Sequence, residues 1–94
     1  MASKPPTGAP YAPPPYTIQD IGALQALQRG DAPEHQQQHA LKFIIETLCG
    51  TNDLEYRPGS DRDSAFAGGR RFVGLQLKKL LKLNLATLKK EQHG

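Results

Sequence analysis

The sequence predicts an all-α protein, a small three-helix module with a long C-terminal helix and an extended, proline-rich N-terminal arm. Three observations predict this fold. Apolar residues recur at helical spacing in three segments, each of these segments starts at a capping residue, and no segment is typical of a strand. Six of the eight prolines lie in residues 1–16. We therefore divide the chain into an arm, residues 1–16, and a helical module, residues 17–94.

The arm is expected to be extended, because proline fixes φ and lacks the N–H that a helix or a central strand requires. Alone it is expected to be disordered, and in an assembly it is expected to dock on a neighbouring protein, where its two tyrosines would act as anchors. The residues predicted for this interaction arm are Tyr11, Pro13, Pro14, Pro15 and Tyr16.

The first two helices are predicted from their caps and their apolar stripes. Thr17 and Asp20 match the two ends of a capping box, which predicts a helix over 17–29. Asp31 is the expected cap of a second helix over 31–49. The side chains expected to be buried in these two helices are Ile18, Ile21, Leu24, Leu27, Leu41, Ile44, Ile45 and Leu48.

A third helix is predicted over 60–90, with Ser60 as its cap and a length of about 45 Å at ~1.5 Å per residue. A loop over 51–59 precedes it, and Leu54 and Tyr56 in that loop are expected to fold back onto the core. Steps of about 100° per residue define two opposite faces. The face expected to meet the core carries Phe66, Val73, Leu77, Leu80, Leu81 and Leu88. The opposite, basic face carries Arg71, Lys78, Lys82 and Lys89.

This helix has more apolar residues than one buried face needs. A module of fewer than eighty residues has a marginal core, so the excess indicates docking or self-association. The residues predicted for interaction through the helix are Phe72, Leu75, Leu83 and Leu85. The alternative is a small domain that wraps the helix on several sides. Gly68, Gly69 and Gly74 would admit a close neighbour, mark a kink or divide the helix.

Charge is unevenly distributed along the chain. Residues 70–94 contain seven Lys or Arg and one acid, whereas the rest of the chain contains five basic and eight acidic residues. This asymmetry favours an anionic partner for the C-terminal part, and a solvated lysine face is the alternative. The residues predicted to contact an anionic partner or nucleic acid are Arg70, Arg71, Lys78, Lys82 and Lys89.

No motif in the sequence indicates an enzyme, so we predict no catalytic residue, no metal and no cofactor. His35 and His39 have a spacing that can hold a metal, but no third ligand is near, and a solvated polar face is favoured. The acids Asp61 and Asp63 are explained by helix capping. Cys49, the single cysteine, is expected to be a buried, inert thiol. No apolar run approaches the ~20 residues of a membrane span.

Residues 46–83 contain a series of short motifs. They are Ala-Phe at 65–66, Gly-Arg-Arg at 69–71, Phe-Val at 72–73, Gly-Leu at 74–75 and a leucine-rich run at 77–83. Together these residues resemble a small helical domain family of short-tailed (podovirus-type) bacteriophages, first noted in a Bordetella phage. The family usually carries an acid before Gly-Arg-Arg, where this chain has Gly68. The resemblance covers less than half of the chain and does not include the arm.

The resemblance implies a tailed-phage gene product without catalytic residues, made in the host bacterial cytoplasm and located in the virion. Our first hypothesis is a non-enzymatic structural component at the portal, tail or inner head, with ejection alongside the DNA as one option. Its expected partners are portal, tail or internal proteins and further copies of itself. The second hypothesis is a DNA-binding packaging accessory, similar to a small terminase, that uses the basic face. A regulator of a host enzyme is neither supported nor excluded.

Overall fold

The computed structural model describes residues 11–53 and 59–93. Within these ranges the chain forms four α-helices and one π-helical segment, with no strand, so the all-α prediction is confirmed. The elements are α1 (Ile18–Arg29), α2 (Glu34–Lys42), the π-helical segment π1 (Phe43–Leu48), α3 (Asp61–Leu81) and α4 (Leu85–His93). Leu54 and Tyr56, which were expected to fold onto the core, lie outside the described residues. None of the described helices combines the length and the hydropathy that crossing a membrane requires.

α1 has the ends that the sequence predicts. The Asp20 N–H donates to Thr17 Oγ1 at 3.2 Å, and the Thr17 N–H donates to Asp20 Oδ2 at 2.8 Å, which completes the capping box. Gly30 ends the helix with a left-handed φ of 82° and donates its N–H to the carbonyls of Ala26 and Leu27. Glycine adopts this conformation without a Cβ penalty, which explains why the helix ends there.

The second helix differs from its prediction at both ends. It starts at Glu34 after Pro33, and the predicted cap Asp31 instead contacts the side chain of Arg29 at 3.4 Å. A residue that precedes proline is disfavoured in the α region, so the helix cannot include Ala32. From Phe43 the helix widens into π1, which continues α2 without a break.

The π1 segment changes which side chains face the core. The Cys49 N–H donates to the Ile44 carbonyl at 2.9 Å, an i→i+5 bond. Such wider turns displace the following side chains around the axis. Ile45 and Cys49 are buried as predicted, but Leu48 at the end of π1 is exposed, which corrects its predicted burial. Leu41, which precedes π1, is exposed as well, and its predicted burial is also wrong.

The prediction of one helix over 60–90 is wrong in its C-terminal part. Ser60 caps α3 as predicted, accepting from the Asp63 N–H at 3.1 Å, and α3 continues through all three glycines. It then ends at Leu81. Asn84 Oδ1 accepts from the Thr87 N–H at 3.0 Å, which caps a new helix, α4. An asparagine side chain competes with the backbone for such N–H groups, and this local bond accounts for the separate start of α4.

The core consists mainly of small side chains. The buried hydrophobic residues are Ala23, Ala26, Ala40, Phe43, Ile45, Cys49 and Ala67. In the contact between α1 and α2 the alanines are buried, while Ile18 is 88% exposed and Leu27 is also exposed, which corrects their predicted burial. Alanine lets two helix axes approach closely, and bulkier neighbours then project past the contact.

Candidate functional site

α3 approaches the end of the second helix through its smallest residue. Gly74 is buried against the turn formed by residues 49–51. A Cβ at this position would overlap Thr51 Oγ1 and would lie 2.9 Å from Cys49 Cβ. Of the three explanations open for the glycines, close approach of a neighbour therefore applies to Gly74. Ala67, two turns earlier on the same side of α3, is buried as well.

Two arginines attach α3 to the backbone at the end of π1. Arg70 Nε donates to the Leu48 carbonyl at 3.1 Å, and its Nη2 donates to the Thr47 carbonyl at 3.3 Å. Arg71 Nε donates to the Thr51 carbonyl at 2.9 Å. The last carbonyls of a helix have no partner within it and form the negative end of its dipole, so guanidinium groups are well suited to this position. The Gly-Arg-Arg motif thus has a structural role in this chain.

Replacing Arg71 by alanine is expected to lower the free energy of unfolding by roughly 1–3 kcal/mol, because the carbonyl of Thr51 then loses a charged donor. Thr51 is 2% exposed, so water cannot readily take the place of the guanidinium. Urea unfolding followed by circular dichroism measures the change. The matched control is Lys79→Ala on the exposed side of α3, expected to stay within about 0.5 kcal/mol. Equal effects of the two variants would remove the structural role of Arg71.

With this contact facing the body of the protein, α3 leaves large apolar side chains on its opposite half exposed. We define the outer face as Phe66, Phe72, Val73, Leu75 and Leu80, which are all exposed and spread over about half of the circumference of the helix. Phe66, Val73 and Leu80 are 47%, 51% and 60% exposed and lie about 100° around the helix from Ala67 and Gly74. The predicted core face is therefore wrong for Phe66, Val73, Leu80, Leu81 and Leu88, all exposed, whereas Leu77 is half-buried.

The four residues predicted for interaction through the helix are all exposed. Phe72 and Leu75 belong to the outer face, Leu83 lies between α3 and α4, and Leu85 is the first residue of α4. Their contact with a partner stays a prediction. The alternative, in which a small domain wraps the helix on several sides, does not hold for these positions in the part of the chain that the structure describes.

The described part of the arm, residues 11–16, contains no helix or strand. The Tyr11 ring meets the Phe66 ring edge to face, with centroids 6.4 Å apart and an interplanar angle of 88°. This end of the arm therefore lies on α3 of its own chain, at the Phe66 end of the outer face. Tyr16 is exposed, as are Pro13 and Pro15, while Pro14 is half-buried. Docking of the arm on a neighbour stays a prediction.

The five predicted basic residues do not form one stripe. Arg70 and Arg71 bond to carbonyls, Lys78 and Lys82 line a groove between α3 and the second helix, and Lys89 is exposed on α4. Because α3 ends at Leu81, the helical face expected to align Lys89 with the other lysines is not formed. Their contact with an anion stays a prediction.

Sequence reasoning missed Lys42, which lines the same groove from the second helix. We define the lysine groove by its lining residues, which are Lys42, Ile45, Glu46, Asn52, Lys78, Leu81 and Lys82. Lys42 precedes Ile45 and Glu46 by one helical turn, so the spacing within the second helix was visible in the sequence. That Lys42 and Lys78 line the same groove could not be seen in the sequence, because the two residues are far apart along the chain.

A polar contact joins α1 to α2. His39 Nε2 lies 2.6 Å from Asp20 Oδ1, so His39 is not simply part of a solvated face as expected. The pKa of Asp20 is lowered, first by the hydrogen bond from the Thr17 N–H and then by the contact with His39, against an opposing effect of burial. Within the described residues no group of three His, Cys, Asp or Glu side chains could hold a metal ion.

The lowered pKa of Asp20 makes the stability of the α1–α2 pair dependent on pH. The contribution of the ionised Asp20 carboxylate to stability is complete above its ordinary pKa of 3.8. This contribution is lost as the pH falls through the lower pKa of the folded state. We therefore expect wild type to be more stable than Asp20→Asn at pH 7, and the difference to shrink as the pH falls below 3.8. Urea midpoints measured at a series of pH values from 7 downwards test this. A difference that stays constant over this range would contradict the assignment.

Comparison of the chain with protein-family models, with curated proteins and with solved structures gives no match. The described residues define an all-α chain whose longest helix exposes an apolar face on one side and meets a lysine-lined groove on another. The resemblance of residues 46–83 to a phage domain family stays a prediction.

Proposed function

We propose that this protein is a non-enzymatic structural subunit that docks into a larger assembly through the outer face of α3. The observation that carries the proposal is that small side chains fill most of the core while large apolar side chains remain exposed. Four of the seven buried hydrophobic residues are alanines, whereas Phe66, Phe72 and Leu80 are each about half exposed or more. Contiguous exposed apolar side chains on a small protein are typical of an interaction site.

The exposed apolar surface of the outer face determines how strong an interface it could form by itself. Complete burial of a large apolar side chain contributes roughly 1.5–3 kcal/mol, so covering what is still exposed of these five would contribute roughly 4–8 kcal/mol. Association costs about 4 kcal/mol or more in lost freedom of motion. The outer face alone would therefore support only a weak interface. A stable interface would also use Leu81, Leu83 and Leu85, which continue the exposed apolar surface along the chain.

We propose the virion of a tailed phage as the assembly. This step rests on the resemblance of residues 46–83 to a phage domain family, and on an arm and helix suited to a repeated component. Portal, tail or internal proteins and further copies of this chain are the proposed partners, and synthesis in the host bacterial cytoplasm is part of the same proposal. The proposal assigns no catalytic residue, cofactor or metal.

Two measurements test the proposal together. Mass spectrometry of intact purified particles is expected to find the protein at a fixed number of copies. Size-exclusion chromatography with light scattering is expected to find the isolated full chain above its monomer mass of 10.3 kDa. A monodisperse monomer that is absent from purified particles would end the proposal.

A further inference from the structure

We propose that the lysine groove binds an acidic segment of a partner protein that carries a large apolar side chain between its carboxylates. The groove lies between the start of π1 and the C-terminal end of α3 and has a volume of about 290 Å³. This is slightly below the range of about 300–1,000 Å³ for ligand sites. It therefore accommodates one or two side chains of a peptide.

The charges of the groove favour an anionic occupant. Three lysines, Lys42, Lys78 and Lys82, converge on it from two different helices, against one carboxylate, Glu46. Glu46 Oε2 lies 3.9 Å from Lys42 Nζ in an exposed pair and offsets one of the three positive charges, so the lining keeps a net positive charge. In the described ranges no carboxylate lies within 4.0 Å of the ammonium groups of Lys78 and Lys82. Lysines gathered around one groove make its electrostatic potential positive, which favours a carboxylate there.

The apolar part of the groove favours a peptide over a nucleic acid. Ile45 and Leu81 lie among the lysines, and Leu81 is 60% exposed. A leucine or phenylalanine from a partner would cover this surface, whereas a phosphate backbone has no apolar group to place there. The broken basic stripe, with Lys89 on a separate helix, also does not follow a nucleic-acid backbone over any length.

The lysine groove and the outer face lie next to each other and are centred on different sides of α3. On a helical wheel Lys78 lies about 140° from Val73 but only about 60° from Leu75, and Leu81 lines the groove. Lys78 and Val73 can therefore be tested independently, and this inference does not rest on the outer face being an interface.

The probe is a fluorescein-labelled ten-residue peptide in which two leucines are each flanked by glutamates, titrated with the full chain at low and at physiological salt. We expect Lys78→Glu and Lys82→Glu each to weaken binding about tenfold or more. Lys90→Glu, the same charge change at an exposed site on α4, is expected to change it by less than about twofold. Leu81→Ser, which leaves every charge in place, is expected to weaken binding about fivefold.

Several outcomes would overturn the inference. Equal weakening by Lys90→Glu would show general charge attraction, and equal binding of a peptide with serine in place of leucine would remove the apolar contact. A 20-base-pair duplex that binds more tightly than the peptide, with the same variants affected, would assign the groove to nucleic acid instead. Val73→Asp, on the outer face, is expected to bind the peptide like wild type. Circular dichroism confirms that each variant is folded, and Lys78→Gln replaces Lys78→Glu if it is not.

Discussion

Gly74→Ala is expected to lower the free energy of unfolding by about 2–4 kcal/mol, although alanine is the better helix former. The added Cβ would overlap Thr51 Oγ1 and lie 2.9 Å from Cys49 Cβ. Thr51 cannot easily move aside, because it is buried and its hydroxyl donates to the Ile45 carbonyl. The helix must then separate from the turn, which would also lengthen the bond between Arg71 and the Thr51 carbonyl. Urea unfolding followed by circular dichroism measures the loss.

Gly69→Ala provides the matched control for this prediction. Gly69 lies on the same helix, but a Cβ there would meet nothing within 4 Å. Alanine is therefore expected to stabilise the protein by up to about 1 kcal/mol through its helix propensity. The effect of a glycine-to-alanine substitution on stability is therefore expected to change sign between positions 69 and 74. If Gly74→Ala proved neutral or stabilising, the close packing of α3 against the turn would be wrong, and the orientation of the outer face with it.

Replacing Val73 and Leu80 together by aspartate is expected to weaken assembly about 100-fold or more while leaving the fold intact. Both side chains are half exposed or more, so their loss removes little core contact. In an interface they would instead bury two unpaired carboxylates, and a 100-fold change corresponds to about 2.8 kcal/mol. The measurements are the copy number in purified particles and the mass in light scattering, with circular dichroism as the check on folding.

Ile18→Asp controls for the general effect of adding acid to an exposed apolar position. Ile18 is 88% exposed and lies on α1, which packs on α2, whereas α3 packs on π1. This variant is expected to assemble like wild type. Loss of assembly in Ile18→Asp to the same degree would mean that charge or solubility, and not the outer face, determines incorporation. Retained assembly in the double variant would remove the outer face as a docking surface.

Local signals in the sequence predicted the start and end of α1 and the start of α3. Thr17 with Asp20, Gly30 and Ser60 each act through bonds to residues within four positions, so their effect does not depend on the rest of the fold. The start of α4 followed the same chemistry. Asn84 is an N-cap residue type before a leucine-containing segment, and the continuous 3.6-residue pattern concealed it. The start of α2 was likewise readable from Pro33, because proline restricts the residue before it.

The direction in which α3 faces could not be predicted from its own residues. Periodicity identifies an apolar side and a basic side, and the usual assumption buries the apolar side. Here Arg70 and Arg71 bond to carbonyls of residues 47, 48 and 51, and these carbonyls become available only when π1 ends beside α3. The convergence of Lys42 with Lys78 depends on the same docking.

By itself the sequence determined that this protein is all-α, where α1 and α3 begin and that Cys49 is buried. It indicated an excess of large apolar side chains but left open whether a small domain covers them. Only the tertiary structure decided that the large apolar side chains of α3 remain exposed. The reason is that capping and periodicity act within a few residues of one segment. The orientation of α3 depends on the close approach at Gly74 and on two arginines whose acceptors come from about twenty residues earlier in the chain.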